Sequence, residues 1–255
     1  MIQQTAMDPG ARFAPGEWET RVELAALYRA LATYGMTDLA NQEAGARVKD
    51  EPDSFLIHPY GYFYEEMRAS DFVKVNTDRE AINGSSRWLS DGGKNLGRWI
   101  FGARPDVNFF IHGHCEDVMA VSAIETGLLP VTQPAVYLMH RLTYIDYEFY
   151  EDDEYAEKFA RTLGAKDIMI SHNHGYYVLG RTAAEAFFRA YYLRQACAVQ
   201  VKAMRTGDKL RMIDAQSVAR FQDQMEESED YNYDGTTEWA GLLRKLDREC
   251  PEYRT

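Results

Sequence analysis

Val107-Asn108-Phe109-Phe110-Ile111-His112-Gly113-His114 is an apolar run that ends in two histidines. A short apolar stretch that follows a breaker, here Pro105, reads as a buried strand. Residues two apart on a strand face the same side, so this strand end offers two imidazoles together. A second run, Ile168-Met169-Ile170, closes in the same way on His172-Asn173-His174-Gly175. If the two strand ends are neighbours, these imidazoles can hold a divalent metal between them.

Outward from these runs, strand and helix patterns alternate. An apolar stripe at Val22, Leu24, Leu27 and Leu31 predicts a helix from Glu17 to near Gly35. Ser54 to His58 reads as a strand broken by Pro59-Tyr60-Gly61 and resumed at Tyr62-Phe63-Tyr64, and Phe72 to Asn76 as a half-buried strand. Asn83 to Asn95, rich in Gly, Ser and Asp, reads as a long loop before a helix over Leu96–Ala103. Helices are expected over Glu116–Glu125, from Pro134 through Met139 and over Glu151–Leu163, with strands over Leu142–Tyr147 and Tyr176–Leu179. Thr182-Ala183-Ala184-Glu185 is a capping box opening a long helix, and two amphipathic segments follow near Ala215–Met225 and Trp239–Leu246. Interleaved strands and helices without repeats predict one α/β layered domain over 17–255, preceded by a flexible arm over 1–16.

Composition narrows the function classes. The 255 residues carry a formal charge of −12 and no Lys/Arg-rich run, which argues against nucleic acid and anionic membranes as partners. Three widely spaced cysteines suit a reducing compartment better than a disulfide framework. With no signal-peptide pattern or apolar run of spanning length, a cytoplasmic location is expected.

Several ordered motifs together resemble the class II aldolase/adducin family: Ser54-Phe55-Leu56-Ile57-His58-Pro59-Tyr60-Gly61, Arg104-Pro105-Asp106-Val107 leading to His112-Gly113-His114, Asn173-His174-Gly175, and Gly180-Arg181-Thr182-Ala183-Ala184-Glu185-Ala186. The resemblance implies an αβα sandwich around a mainly antiparallel sheet, a homotetramer with sites near subunit boundaries, and one divalent metal ion (Zn, Mn, Fe or Co). It implies His112, His114 and His174 as the ligands. His172 falls outside that set, and its strand phase suggests that it faces the same side.

The chain departs from the family's sugar-phosphate aldolases at two places. Their proton-handling glutamate, counted back from Arg104, falls on Gly93 in Ser90-Asp91-Gly92-Gly93-Lys94. Their phosphate cradle, aligned on Arg47, falls on Glu43 and Gly45, and the serine pair before the glutamate becomes Asp91-Gly92. Carboxylates repel phosphate, which wants amides, hydroxyls and cations. The expected substrate is therefore a small non-phosphorylated molecule, met by Glu43, Tyr60, Gly61 and Gly93. Tyr144, His172 and Asp91, with Tyr147 and His140, are the candidate proton carriers. These readings imply a metal-dependent lyase for aldol-type cleavage or decarboxylation, with the metal as Lewis acid. Alternatives are a non-haem iron oxygenase for an aromatic keto or hydroxy acid, motivated by the three-histidine set, and a non-catalytic adducin-like assembly module.

Overall fold

The structure is a computed structural model that describes residues 9–78, 80–82, 88–148, 152–227 and 234–255. In chain order its elements are α1 (Pro15–Thr33), β1 (Glu43–Val48), β2 (Glu51–Ile57), β3 (Val73–Asn76), α2 (Asp91–Ala103), β4 (Phe109–Gly113), α3 (Glu116–Ser122), α4 (Gln133–Met139), β5 (Leu142–Asp146), α5 (Asp153–Leu163), β6 (Ile168–His172), β7 (Gly175–Gly180), α6 (Ala183–Met204), α7 (Ala215–Glu227) and α8 (Thr236–Glu249). The strands form one sheet in the order β3-β2-β1-β4-β7-β6-β5. Every pairing is antiparallel except β5 with β6, so the fold is the α/β sandwich with a mainly antiparallel sheet that the motifs imply. Among the described residues no helix is long and apolar enough to cross a membrane.

Strand alternation sorts the core into two layers. Ala44, Leu56, Ile111, Ile170 and Val178 face α1, α3, α4, α6 and α8. Phe55, Val75, Phe110, Met169 and Leu179 face α2 and α5. The sheet buries both faces, which explains why its central strands read as continuous apolar runs.

Strand β1 gave no sequence signal, because Glu43-Ala44-Gly45-Ala46-Arg47-Val48 holds a single β-former, Val48, at its end. Its small residues are a packing requirement: a Cβ on Gly45 would lie 2.4 Å from the Phe110 ring. The structure also corrects the stretch after His58. Tyr64–Glu66 is a 3-10 turn instead of a resumed strand, and the buried Tyr64 ring sits 4.1 Å from that of Tyr28. Helix α2 begins at Asp91, inside the predicted loop, because Ser90 caps it by accepting the Gly93 N–H. Residues 83–87 of that loop lie outside the described residues, as does Glu151 of the predicted acidic helix. Helix α1 starts at Pro15, and Phe13 before it stacks on Trp18 at 5.5 Å. Residues 1–8 of the expected arm lie outside the described residues.

The Arg-Pro-Asp and Gly-Arg-Thr-Ala-Ala-Glu motifs sit at the sheet end opposite the histidines. Asp167, buried just before β6, pairs with Arg104 at 3.1 Å, Arg141 at 2.8 Å and Arg189 at 3.3 Å. Arg104 also chelates Asp106 with two 2.8 Å bonds. Thr182 caps α6 by accepting the Glu185 N–H, while the Glu185 carboxylate accepts from the Arg181 N–H at 2.7 Å. Arg47 is spent here too, donating to the carbonyls of Pro52, Phe101, Arg104 and Val107. It is a staple across β1, β2 and the end of α2.

Candidate metal centre

Pairing in the middle of the sheet brings the two histidine clusters together. β4 runs beside β7 with His112 opposite Tyr177 and Gly113 opposite Tyr176. β7 returns to β6 through a tight turn, Ser171 facing Gly175. Asn173 in that turn has φ +58°, a left-handed conformation that asparagine tolerates, and the reversal sets His174 against the end of β4. Gly175 permits the approach, since a Cβ there would lie 2.5 Å from the Gly113 carbonyl oxygen and 2.8 Å from the His114 ring.

His112, His114 and His174 converge through their Nε2 atoms. His114 Nε2 is 3.1 Å from His112 Nε2 and 3.1 Å from His174 Nε2. The tautomers of two rings follow from their other nitrogens. His112 Nδ1 lies 3.0 Å from the Tyr176 carbonyl, and His114 Nδ1 lies 3.1 Å from the Asp38 carboxylate. Both partners only accept, so both Nδ1 atoms carry the proton and the Nε2 lone pairs point inward. Lone pairs at this separation repel unless a cation shares them. Tetrahedral coordination with bonds of about 2.0–2.1 Å would set donor nitrogens about 3.3 Å apart, close to the two separations from His114, and all three ligand atoms lie within 4.8 Å of one another. The donor set therefore fits a divalent ion.

Burial reinforces neutrality. His112 is held well below its ordinary value by burial and by the His114 and His174 rings beside it. Burial, then His114, pushes His174 down to about 4. Unfolded imidazoles titrate at about 6.5, so as pH falls the unfolded chain takes up protons first and folding loses stability. In chelator-stripped protein the urea midpoint should fall between pH 7 and pH 4.5, and the fall should shrink in a His112→Ala/His174→Ala variant. An equal fall in both proteins would refute the assignment of that pH dependence to these rings.

The other candidate residues divide between the two faces. The Tyr147 ring stands 4.3 Å from that of His174. Glu43 is the cross-strand partner of His112, so both side chains lie on the α2 face. There the Glu43 carboxylate accepts from the Ser90 hydroxyl and lies 3.2 Å from His58 Nδ1. Gly93 packs against that carboxylate, and Gly61 turns the chain after Pro59 at φ +93°. Tyr60 is edge-on to Trp88 at 4.5 Å and donates to Asn41 Oδ1 at 3.2 Å. Asp91 is largely exposed and paired with Lys94 at 2.8 Å. His140 follows the last turn of α4, its ring 6.4 Å from that of Tyr137.

Tyr144 and His172 do not join the triad. They stack on one another at 5.3 Å, with the Tyr144 hydroxyl accepting from the Leu128 N–H and His172 Nδ1 donating to the Ser122 carbonyl. His172 shares the phase of Ile168 and Ile170, which face α3, α4 and α6, whereas His112 shares that of Phe110 on the other face. The expectation that His172 faces the same side as His174 fails because the turn at Asn173 breaks the two-residue period. Asp38 and Arg194 gave no sequence signal. With Cys115 and Asn173 they line a cleft of about 570 Å³ outside His114 and His174.

The fold is an αβα sandwich with three imidazoles converging at one end of its central strands, and comparison with known proteins identifies the family. Residues 22–201 match the model of the class II aldolase and adducin N-terminal domain. A Caulobacter vibrioides protein named for aldolase class 2 is 35% identical over 95% of this chain and 94% of its own length. An aldolase II superfamily protein from Pseudomonas syringae superposes with a TM-score of 0.90 at 32% identity, covering 96% of this chain and 98% of that one. Human gamma-adducin is 33% identical over 94% of this chain, which spans 36% of the adducin. The chain belongs to the class II aldolase/adducin family.

Proposed function

We propose that the chain is a divalent-metal-dependent lyase, acting by aldol-type cleavage or decarboxylation on a small, non-phosphorylated carbonyl or carboxylate substrate. The observation that carries this reading is the convergence of three Nε2 atoms, two of them with tautomers fixed by Tyr176 and Asp38. His112, His114 and His174 would hold the ion, and a bound ion supplies Lewis-acid polarisation of a carbonyl. Tyr147, in contact with His174, presents a phenol beside it. The choice against phosphate is supported by the Glu43 carboxylate on the α2 face and by Arg47, whose guanidinium is committed to backbone carbonyls. The reading includes a homo-oligomer, on family resemblance, and a cytoplasmic location, on composition.

The test is metal removal and return. Chelator-stripped protein should lose cleavage of hydroxy-keto acids and regain it with one equivalent of zinc, manganese or cobalt. A second reading, the iron oxygenase, is favoured by a ligand cluster that holds only imidazoles among the described residues. Oxygen uptake restored by iron(II) alone would move the assignment there. Similarity to adducin favours an assembly module, and a chain that binds none of these metals would support it.

A further inference from the structure

On the lyase reading, a group must take a proton from the substrate and return it. We propose that Glu43 is that general acid–base, bringing from strand β1 the carboxylate that the start of α2 lacks at Gly93. The geometry is specific. A Cβ built on Gly93 would lie 2.7 Å from Glu43 Oε2, 2.8 Å from its Cδ and 3.0 Å from Oε1. The Glu43 carboxylate thus fills the volume that a side chain at position 93 would enter. It arrives in register with His112, its cross-strand partner on the same sheet face.

The surroundings hold this carboxylate ready rather than neutralise it in a tight pair. Glu43 is 7% exposed. Its Oε1 accepts from the Ser90 hydroxyl, which itself caps α2, so the carboxylate sits at the positive end of that helix. Its Oε2 is buried and 3.2 Å from His58 Nδ1, without a well-formed hydrogen bond among the described residues. His58 is oriented from behind by Tyr28. The Tyr28 hydroxyl donates to the Ala44 carbonyl at 2.7 Å, which leaves its oxygen to accept from His58 Nδ1 at 3.0 Å. The His58 Nδ1 proton therefore points between the Tyr28 oxygen and the Glu43 carboxylate. A strand that needed only packing here would carry an apolar residue, because a buried carboxylate costs several kcal/mol before its partners offset it (~ scale for ions in proteins).

The step balances without a redox partner. Glu43 removes the proton from the β-hydroxyl of a β-hydroxy carbonyl substrate, and the hydroxyl oxygen becomes a carbonyl. The carbon–carbon bond breaks, and its electron pair passes to the other fragment as an enolate. Protonated Glu43 then delivers the proton to the enolate carbon.

Two measurements test this. The first is a stability cycle on the metal-free chain. Gly93→Ala should lower the unfolding midpoint when Glu43 is present and leave it unchanged or raised in Glu43→Ala, where the Cβ enters vacated space. Equal effects in both backgrounds would overturn the shared volume. The second uses zinc-loaded protein and hydroxyacetone in deuterated water, following α-proton exchange by NMR. Glu43→Gln should bind zinc as the unchanged chain does and lose exchange by about 100-fold or more, the usual scale for a general base. Glu43→Ala/Gly93→Glu should recover part of the exchange that Glu43→Ala loses. Exchange undiminished in Glu43→Gln, or zinc lost with it, would overturn the acid–base role alone. Absence of exchange in the unsubstituted zinc-loaded chain would overturn the lyase reading beneath it.

Discussion

Replacing Asp167 with alanine should cost about 3–5 kcal/mol of folding stability, the loss found when one partner of a buried ion pair is removed. The carboxylate is 8% exposed and bridges Arg104, Arg141 and Arg189. These residues belong to the segment before β4, the start of β5 and helix α6, so one deletion leaves three guanidiniums facing each other across the base of the sheet. At about 2–4 °C per kcal/mol for a chain of this size, thermal unfolding should fall by roughly 10 °C. Burial raises the Asp167 carboxyl, and the Arg189, Arg141 and Arg104 guanidiniums more than offset it, leaving it below its ordinary value. Its contribution is therefore complete at neutral pH and is lost only as pH falls through that depressed value. A loss under about 1 kcal/mol, the range of exposed pairs, would mean that the network is dispensable.

The second large effect is at the imidazoles. His114 faces both other imidazoles at 3.1 Å, so on the proposed metal site His114→Ala should remove the middle donor and weaken metal affinity by more than about 100-fold, beyond the usual effect of changing a ligand's hydrogen-bond partner. Asp38→Asn keeps the donor but exchanges the carboxylate that accepts from His114 Nδ1, and should cost about 10-fold. Competition against a chromophoric chelator measures both. The graded order is the test: if Asp38→Asn weakened binding as much as His114→Ala, Asp38 would itself be a ligand. If His114→Ala kept stoichiometric metal, the triad would be wrong.

Much of this arrangement was legible in the chain, for definable reasons. Phe109-Phe110-Ile111 and Ile168-Met169-Ile170 announce strands because a sheet covered on both faces leaves no polar alternation. The family motifs mark His112, His114 and His174 as candidate ligands, and the fold brings their ring nitrogens within 4.8 Å of one another. Strand phase failed where the chain stopped being a strand. At Asn173 a positive φ separates His172 from His174, and no pairwise spacing carries that information. Asp38, Arg194 and the Glu43–His58 contact depend on which strands are neighbours. Strand β1 was the one whose composition concealed it, since a phenylalanine from β4 requires glycine at position 45. The start of α2 was hidden likewise by Gly92 and Gly93, the latter placed where the Glu43 carboxylate needs room.

The ionic end and the imidazole end of the same strands have a consequence for how this architecture can diverge. Arg104, Asp167, Arg181 and Glu185 tie strand and helix termini together at one end of the sheet, and none of them belongs to the histidine cluster. Selection on the chemistry and selection on foldability therefore act on separable sets of residues. A lineage can exchange ligands, relocate a carboxylate from helix to strand, or abandon catalysis, while inheriting an intact anchor for the sheet. A scaffold divided in this way can be recruited to a new role without first being rebuilt.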